Sequence, residues 1–238
     1  MFNNRSDKRE LLDDLSLSSD ELRKNLAEFE KFNNWFGSKR LLTKSLNKIK
    51  NKFSNKFHQN PITLCDLCCG GGDLLRAIEK WSSYHGIKMT LIGIDANPSI
   101  IDYAIKNSTK YPLIQYKVHN VFSPELEQMK FDIVSINSAC HHFNNEDLIK
   151  LLQLFSKQTR LAIVINDLHR YWLSYYAIKL ISKIFKFSEL AKHDAPLSVM
   201  RAFTKNDLIE ILEEANIKQF EIHWAWPFRW SVIIWLSN

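Results

Sequence analysis

Apolar and polar residues follow one another along this chain in an order that predicts strands separated by helices. From about residue 60 onward, short apolar runs of strand length are separated by turns and by stretches with apolar residues at helical spacing. This order favours an α/β domain, because helices usually connect parallel strands. The predicted strands of the series are residues 64–67, 90–95, 116–122, 131–137 and 161–166.

An amphipathic helix is predicted before this series. Residues 20–36 carry apolar side chains three and four positions apart, and Ser18 or Ser19 is predicted to cap the helix start. We interpret residues 1–60 as an N-terminal helical extension and residues 61–238 as the main domain. The apolar positions of the helix are Leu22, Leu26, Phe29, Phe32 and Phe36.

The part of the chain after the fifth strand is less regular. Residues 171–187 predict a basic amphipathic helix that forms a lid over a hydrophobic site, packs on the sheet or lies at a membrane surface. Residues 188–203 lack helix signals and predict a loop. Thr204 and Asp207 predict the N-terminus of a helix that ends near Ala215. Two further strands, 220–226 and 231–236, are predicted to form a hairpin in which the four tryptophans are packing residues.

The most informative local sequence is the turn after the first predicted strand. Asp66 lies in an apolar run, and Gly70 to Gly72 and then Asp73 come directly before a helix pattern. Glycines let a ligand approach the backbone closely, and the free N–H groups of a helix start attract a phosphate or carboxylate. Asp95, at the end of the second strand, stands where an acid binds ribose hydroxyls. The pattern predicts a site for a nucleotide-like ligand, without the glycine spacing of a dinucleotide fingerprint.

This turn resembles motif I of class I methyltransferases that use S-adenosylmethionine (SAM). Asp66, Gly70 and Gly72 are in register with the motif, and Cys68 replaces its first glycine. The resemblance covers about residues 60–238 and implies a Rossmann-like, doubly wound sheet of seven strands, mostly parallel with the last strand antiparallel. It also implies SAM as cofactor and a helical extension that packs over the cofactor end. The cofactor-binding residues implied by the resemblance are Asp66, Cys68, Gly70, Gly72, Asp73, Asp95, Ala96, Asn97, Asn120, Val121 and Asn137.

The substrate side of such an enzyme is indicated by histidines. The segment from Ala139 to Phe143 resembles the histidine-containing segment of the ubiquinone and menaquinone methyltransferase group, and residues 169–203 would form a helical lid or substrate insertion. Methyl transfer depends mainly on alignment and desolvation, but an oxygen or carbon acceptor benefits from a nearby base. The resemblance implies O- or C-methylation of a small, hydrophobic aromatic, quinone-like or polyketide acceptor. The candidate catalytic residues are His142, His193 and Asp194.

The charge distribution leaves other functions open. The chain of 238 residues has a formal net charge of +6, and residues 39–56 contain basic side chains and no acid. This basic stretch is either a solvated helix end and linker or a surface for RNA or anionic lipid. An RNA methyltransferase and a non-catalytic SAM-binding protein are therefore alternatives, although no RNA-binding module is recognisable.

The ends of the chain and its apolar runs bear on location. The first residues lack the apolar segment of a signal peptide, and no apolar run reaches membrane-spanning length. We expect a cytoplasmic protein without a transmembrane segment, for which peripheral membrane contact remains open.

Four cysteines raise the question of a metal. Cys65 and Cys68 have the spacing of a zinc or redox pair, but Cys69 and Cys140 do not supply a second pair at similar spacing. Small buried cysteines are common in protein interiors. We therefore expect reduced structural thiols and no bound metal.

Overall fold

A computed structural model describes residues 2–15, 17 and 20–237 of the chain. The helix cap predicted at Ser18 or Ser19 lies outside the described residues. Within them, seven strands form one sheet. The strands are β1 (Ile62–Leu67), β2 (Met89–Asp95), β3 (Ile114–Val118), β4 (Phe131–Asn137), β5 (Thr159–Leu168), β6 (Phe220–Ala225) and β7 (Arg229–Trp235).

The sheet has the order β3-β2-β1-β4-β5-β7-β6. Strands β1 to β5 pair in parallel, whereas β7 is antiparallel to both β5 and β6, which confirms the predicted fold class. The chain passes from β1 to β2 on one side and later returns to β4 on the other side of β1. Ligands of such sheets bind at the carboxyl ends of the strands where the order reverses, which here is the end of β1.

Helices cover both faces of the sheet and enclose an apolar core on each. One face buries Val134, Phe155 and Val232, and the other buries Leu75 and Ile133. No helix in the described ranges is both long and apolar enough to cross a membrane. The helices are α1 (Asp20–Trp35), α2 (Ser38–Lys52), α3 (Ser54–Gln59), α4 (Asp73–Tyr84), α5 (Pro98–Asn107), α6 (Pro124–Glu127), α7 (Asn145–Gln158), α8 (Trp172–Ile184), α9 (Glu189–Arg201) and α10 (Lys205–Glu214).

The basic stretch at residues 39–56 lies in helices α2 and α3, so its interpretation as a linker is wrong. Leu42, Leu46 and Ile49 are fully buried and belong to the core on one face of the sheet. These residues recur at three- and four-residue spacing, which buries one side of α2 while its lysines remain on the other. The stretch is therefore part of the helical layer that packs on one face of the sheet.

The predicted insertion at residues 169–203 forms the helix pair α8 and α9. The helix predicted over 171–187 is confirmed, but the loop predicted over 188–203 is wrong. Helix α9 begins after Ser188, whose Oγ accepts a hydrogen bond from the Ala191 N–H, and continues through Pro196. It contacts α1, α8 and the N-terminal strap, which we define as residues 2–15. Because α9 is buried on several sides, no single apolar stripe marks it in the sequence.

The predicted C-terminal hairpin is confirmed as β6 and β7, but not all of its tryptophans pack. Trp230 is buried, whereas Trp224 is 49% exposed and Trp226 is 73% exposed. Strand β6 is the edge strand of the sheet, and Trp226 lies in the turn that follows it. The prediction that these two tryptophans are packing residues is therefore wrong.

Candidate active site

A cavity of about 1280 Å³ lies at the carboxyl edge of the sheet. The ends of β1, β2 and β4 form its floor, and α1, α8, α9 and the N-terminal strap enclose it. Of the predicted cofactor residues, Gly72 alone does not line this cavity. Those that line it are Asp66, Cys68, Gly70, Asp73, Asp95, Ala96, Asn97, Asn120, Val121 and Asn137.

Asp66 is the acid at the end of β1. Its Oδ1 accepts hydrogen bonds from Ser135 Oγ at 2.5 Å and from Asn137 Nδ2 at 2.9 Å. Burial raises the pKa of Asp66 to about 7, although both hydrogen bonds favour the ionised form. A cation placed beside this carboxyl would favour its ionisation.

The turn after β1 has the backbone conformation expected of a glycine-rich motif, although Cys68 stands at the position of its first glycine. Cys68 has a φ of +54°, in the left-handed region that favours glycine. Gly70 has a φ of +52°, and a Cβ built on it would meet no atom within 4 Å. The backbone at Gly70 is therefore open to a ligand. Burial raises the pKa of the Cys68 thiol far above its ordinary value, so this cysteine is not a reactive thiolate near neutral pH.

Two glycines leave room for Tyr116, which packs behind the turn. A Cβ on Gly72, whose φ is +74°, would collide with Tyr116 Oη. A Cβ on Gly93 in β2 would lie 2.7 Å from both Tyr116 Cδ1 and Leu75 Cδ1. Gly72 thus acts by allowing close packing rather than by lining the cavity. Gly93 was missed in the sequence, although a glycine inside a strand often marks such a close approach.

Asp95 connects the ends of β1 and β2. Its Oδ2 accepts a hydrogen bond from the Gly70 N–H, and its Oδ1 accepts one from the Asn97 N–H, each at 3.1 Å. Burial raises the pKa of Asp95, and these backbone hydrogen bonds oppose that shift. Asn97 caps α5 through the Ser99 N–H at 2.8 Å, so its first role is to fix the start of that helix.

Of the three predicted catalytic residues, the structure brings only His142 to the cavity. Its Nδ1 lies 2.6 Å from Asp13 Oδ1 in the N-terminal strap. His193 and Asp194 lie on α9 and do not line the cavity, because the loop expected to deliver them is a helix. The His193 side chain is 53% exposed. The buried carboxylate of Asp194 accepts hydrogen bonds from two N–H groups of the strap.

Neither His141 nor its partner Asp167 is among the catalytic residues predicted from the sequence. His141 is buried, lines the cavity and has its Nδ1 2.6 Å from Asp167 Oδ1. Burial alone would raise the pKa of Asp167, but the charge and hydrogen bond of His141 outweigh burial and lower it. In the neutral ring that donates from Nδ1 to the carboxylate, Nε2 is free to accept a proton. The signal available in the sequence was an acid at the end of the fifth strand.

The N-terminal strap adds a third acid to this side of the cavity. Glu10 is buried, and its Oε1 lies 3.7 Å from Arg201 Nε and 3.8 Å from His141 Nε2 without a hydrogen-bond partner in the described part. Burial raises the pKa of Glu10 to about 7. Glu10, His141 and His142 have the donor atoms and spacing that could hold a metal ion. The positive charge of Arg201 beside Glu10 disfavours a second cation there. That the protein binds no metal stays a prediction.

Comparison with known proteins adds family and fold information. Residues 64–160 match a family model described as a methyltransferase domain. None of the curated proteins compared with the chain matches it. The family match does not distinguish subgroups, so the predicted likeness to the ubiquinone and menaquinone group stays a prediction.

Three solved structures are similar in fold at low sequence identity. The plantazolicin methyltransferase BpumL, in complex with SAH, is 16% identical with a TM-score of 0.65, and the match covers 91% of each chain. The CMeT domain of the citrinin polyketide synthase is 15% identical with a TM-score of 0.56, over 75% of this chain and 47% of that one. The DszA carbon methyltransferase is 14% identical with a TM-score of 0.63, over 84% and 53%. This chain spans about half the length of the latter two. Together, these comparisons show a match to a methyltransferase domain over residues 64–160 and a fold shared with solved methyltransferases.

Proposed function

We propose that this protein transfers the methyl group of SAM to an oxygen or carbon of a small, hydrophobic acceptor of aromatic, quinone-like or polyketide type. The observation that carries the proposal is that His141, oriented by Asp167, lines the same cavity as the predicted cofactor residues. A donor and a base would then meet in one water-poor space, as the reaction requires.

The cofactor end of the cavity fits the chemical groups of SAM. In this proposal, Asp95 binds the ribose hydroxyls, and the Asp66 carboxyl faces the ammonium group of the methionine part. Asn120 and Val121 contact the adenine through an amide and an apolar surface. The open face of Gly70 accommodates the ligand backbone. When bound, SAM supplies a methyl group on a positively charged sulfur, which leaves as a neutral thioether.

The proposed base is His141. Its Nε2 takes the proton from the acceptor O–H or acidic C–H as that oxygen or carbon bonds to the methyl carbon. Asp167 then stabilises the imidazolium that forms, because its carboxylate stays on Nδ1. His142, held by Asp13, is proposed to contact the acceptor beside it. His193 and Asp194 have no part in this step, since neither lines the cavity.

The remaining wall of the cavity suits a lipophilic acceptor. Helix α1 contributes Phe29 and Phe32, and α8 contributes Ile178 and Ile181. Aromatic and branched apolar side chains bind flat hydrophobic molecules well. The names of two structural neighbours, a polyketide synthase CMeT domain and a carbon methyltransferase, support polyketide acceptors and C-methylation as candidates.

A small-molecule acceptor is proposed in preference to RNA. In the basic stretch, Lys48 Nζ lies 2.7 Å from Glu221 Oε2, and Lys52 Nζ lies 4.3 Å from the centre of the Trp235 ring. Two of the basic side chains that could bind the phosphates of RNA are therefore already engaged in contacts within the protein. We propose a cytoplasmic location, and the exposed Trp172 of α8 leaves peripheral membrane contact within the proposal.

Calorimetry and a transfer assay test this function. We expect SAM and SAH to bind, and mass spectrometry to detect a methylated product from a panel of phenols, hydroquinones and β-ketoacyl thioesters. Asp95→Asn should weaken SAM binding on the order of 10- to 100-fold, because a charge-assisted contact is lost. His141→Asn should lower turnover by roughly 10²- to 10⁴-fold with SAH affinity retained. The exposed Asp102→Asn serves as the control, and a protein that binds neither SAM nor SAH would contradict the proposal.

A further inference from the structure

One buried arginine differs from the others in its partners. In the described part of the chain, Arg229 is only 3% exposed and forms no ion pair with a carboxylate. Each of the other buried arginines has a carboxylate oxygen within 2.8 Å. Those pairs are Arg76 with Glu30, Arg170 with Asp207 and Arg201 with Asp13.

The immediate surroundings of Arg229 do not neutralise it. Its Nη1 donates a hydrogen bond to Ser138 Oγ at 2.8 Å, and a hydroxyl carries no charge. Burial lowers the pKa of Arg229, although the nearby Asp167 opposes that shift. Asp167 is already engaged, since its Oδ1 lies 2.6 Å from His141 Nδ1 and accepts a hydrogen bond from the Leu168 N–H. A guanidinium with five N–H donors thus retains unused capacity.

Arg229 lies on the acceptor side of the cavity. It begins β7 and is paired in register with Leu168 of β5, and both residues line the cavity. Strand β7 is four strand spacings from β2, which places Arg229 roughly 19 Å from the strand that carries the predicted ribose acid Asp95. Its neighbours are the end of β4 and the His141–Asp167 pair. A ligand group that meets Arg229 therefore belongs to the acceptor rather than to the sugar of SAM.

An unpaired buried charge is unfavourable, and a guanidinium forms its strongest contacts with anionic oxygens. We propose that Arg229 binds an anionic oxygen of the methyl acceptor and thereby selects acceptors that carry a carboxylate or react as a phenolate or enolate. This inference rests on the proposed function, because it takes the acceptor to occupy this cavity. With an enolate, Arg229 would hold the oxygen while the proton from carbon moves to His141 Nε2 and carbon forms the bond to methyl.

The carboxylate form of the proposal is tested with benzoate and its neutral analogue benzamide. Each is titrated by calorimetry into the protein loaded with SAH. We expect wild type to prefer benzoate on the order of 10- to 100-fold, as for one charge-assisted pair. Arg229→Gln should remove the preference, and Arg229→Lys should keep part of it. The control is Arg160→Gln, because the Arg160 side chain is 69% exposed and lies outside the cavity lining.

The phenolate form is tested with 4-nitrophenol, whose ionised form absorbs visible light. Binding to wild type should shift its ionisation toward the phenolate, and Arg229→Gln should not. A benzoate preference without this shift assigns Arg229 to a carboxylate, and the shift without the preference assigns it to the reacting oxygen. Wild type that shows neither, or Arg229→Gln that keeps both, overturns the proposal.

The two proposals fail separately. Retained SAH affinity and circular dichroism establish that the variants are folded, and if Arg229→Gln does not fold, the wild-type and Arg229→Lys comparison decides. A protein that binds no SAH contradicts the proposed function, whereas the benzoate and benzamide titrations can still be made on it. Wild type that binds SAH but shows neither the benzoate preference nor the nitrophenolate shift contradicts only the role of Arg229.

Discussion

At the scale of single residues, backbone conformation explains why the turn accepts a cysteine where the motif has glycine. Cys68 has a φ of +54°, and the turn is closed by a hydrogen bond from the Cys69 N–H to the Ile94 carbonyl at 2.9 Å. A side chain in the left-handed region costs about 1–2 kcal/mol, which a small unbranched residue tolerates best. The motif was predictable from the sequence, but this φ was not, because it depends on a contact with β2.

We expect substitutions at Cys68 to follow side-chain shape. Cys68→Gly should change the free energy of unfolding by no more than about 1 kcal/mol, since relief of strain is offset by lost packing and chain entropy. Cys68→Val should lower it by about 2 kcal/mol, because branching at Cβ is disfavoured at positive φ. Urea unfolding measures both. Cys65→Val, in the extended strand β1, is the control, and equal effects at the two positions would refute the explanation.

The pKa of Asp66 predicts a pH-dependent stability. Burial raises this pKa from 3.8 to about 7, so the folded protein binds an extra proton between those values. The contribution of Asp66 to stability is therefore largest at low pH and is lost as the pH rises through about 7. Asp66→Asn removes this dependence while its amide oxygen still accepts from Ser135 and Asn137. Relative to wild type, the variant should gain on the order of 3 kcal/mol between pH 5 and pH 8 without ligand.

This prediction is checked by urea unfolding of both proteins at the two pH values. The control is Asp102→Asn, an exposed aspartate for which the difference from wild type should not change with pH. Parallel pH profiles of wild type and Asp66→Asn would show that Asp66 is ionised across the whole range.

At the scale of secondary structure elements, helices marked by local sequence signals were predictable, whereas a helix that depends on contacts with other elements was not. Helix α10 begins as expected because Thr204 and Asp207 form a reciprocal capping box within four residues. Helix α9 was missed because its stability comes from burial against other elements and because Pro196 lies inside it. The misplacement of His193 and Asp194 follows from that one error, since residues on a loop and on a buried helix face different surroundings.

Asp194 is expected to anchor the N-terminal strap to α9. Its two carboxylate oxygens accept hydrogen bonds from the Leu11 and Leu12 N–H groups, each at 2.9 Å. Asp194→Ala leaves these N–H groups without an acceptor, so it should lower the free energy of unfolding by about 1–3 kcal/mol and speed trypsin cleavage after Lys8. Limited proteolysis and urea unfolding measure the two effects. The exposed Asp102→Ala should change neither, and strap cleavage at the wild-type rate in Asp194→Ala would disprove the anchor.

At the scale of the whole molecule, the proposed cofactor side and the proposed acceptor side of the cavity differ in how far the sequence predicts them. The cofactor side is built from consecutive strand ends, so short motifs such as the turn at Asp66 reveal it. The acceptor side brings together Glu10, His141 and Arg229 from distant parts of the chain. No local sequence pattern predicts that these three residues lie close together, because only the completed sheet and the folded strap bring their side chains to one wall of the cavity.

This arrangement makes SAH binding a test of the whole cavity. Because α1 and the strap cover the cavity, ligand binding to the folded state should slow hydrogen exchange there as well as in the turn after β1. SAH at 100 times its dissociation constant should raise the free energy of unfolding by about 2.7 kcal/mol. At the same concentration, tenfold weaker binding by Asp95→Asn should reduce this gain to about 1.4 kcal/mol. Equal gains in both proteins, or protection confined to helix α3, which contributes no residue to the cavity lining, would place the ligand somewhere other than this cavity.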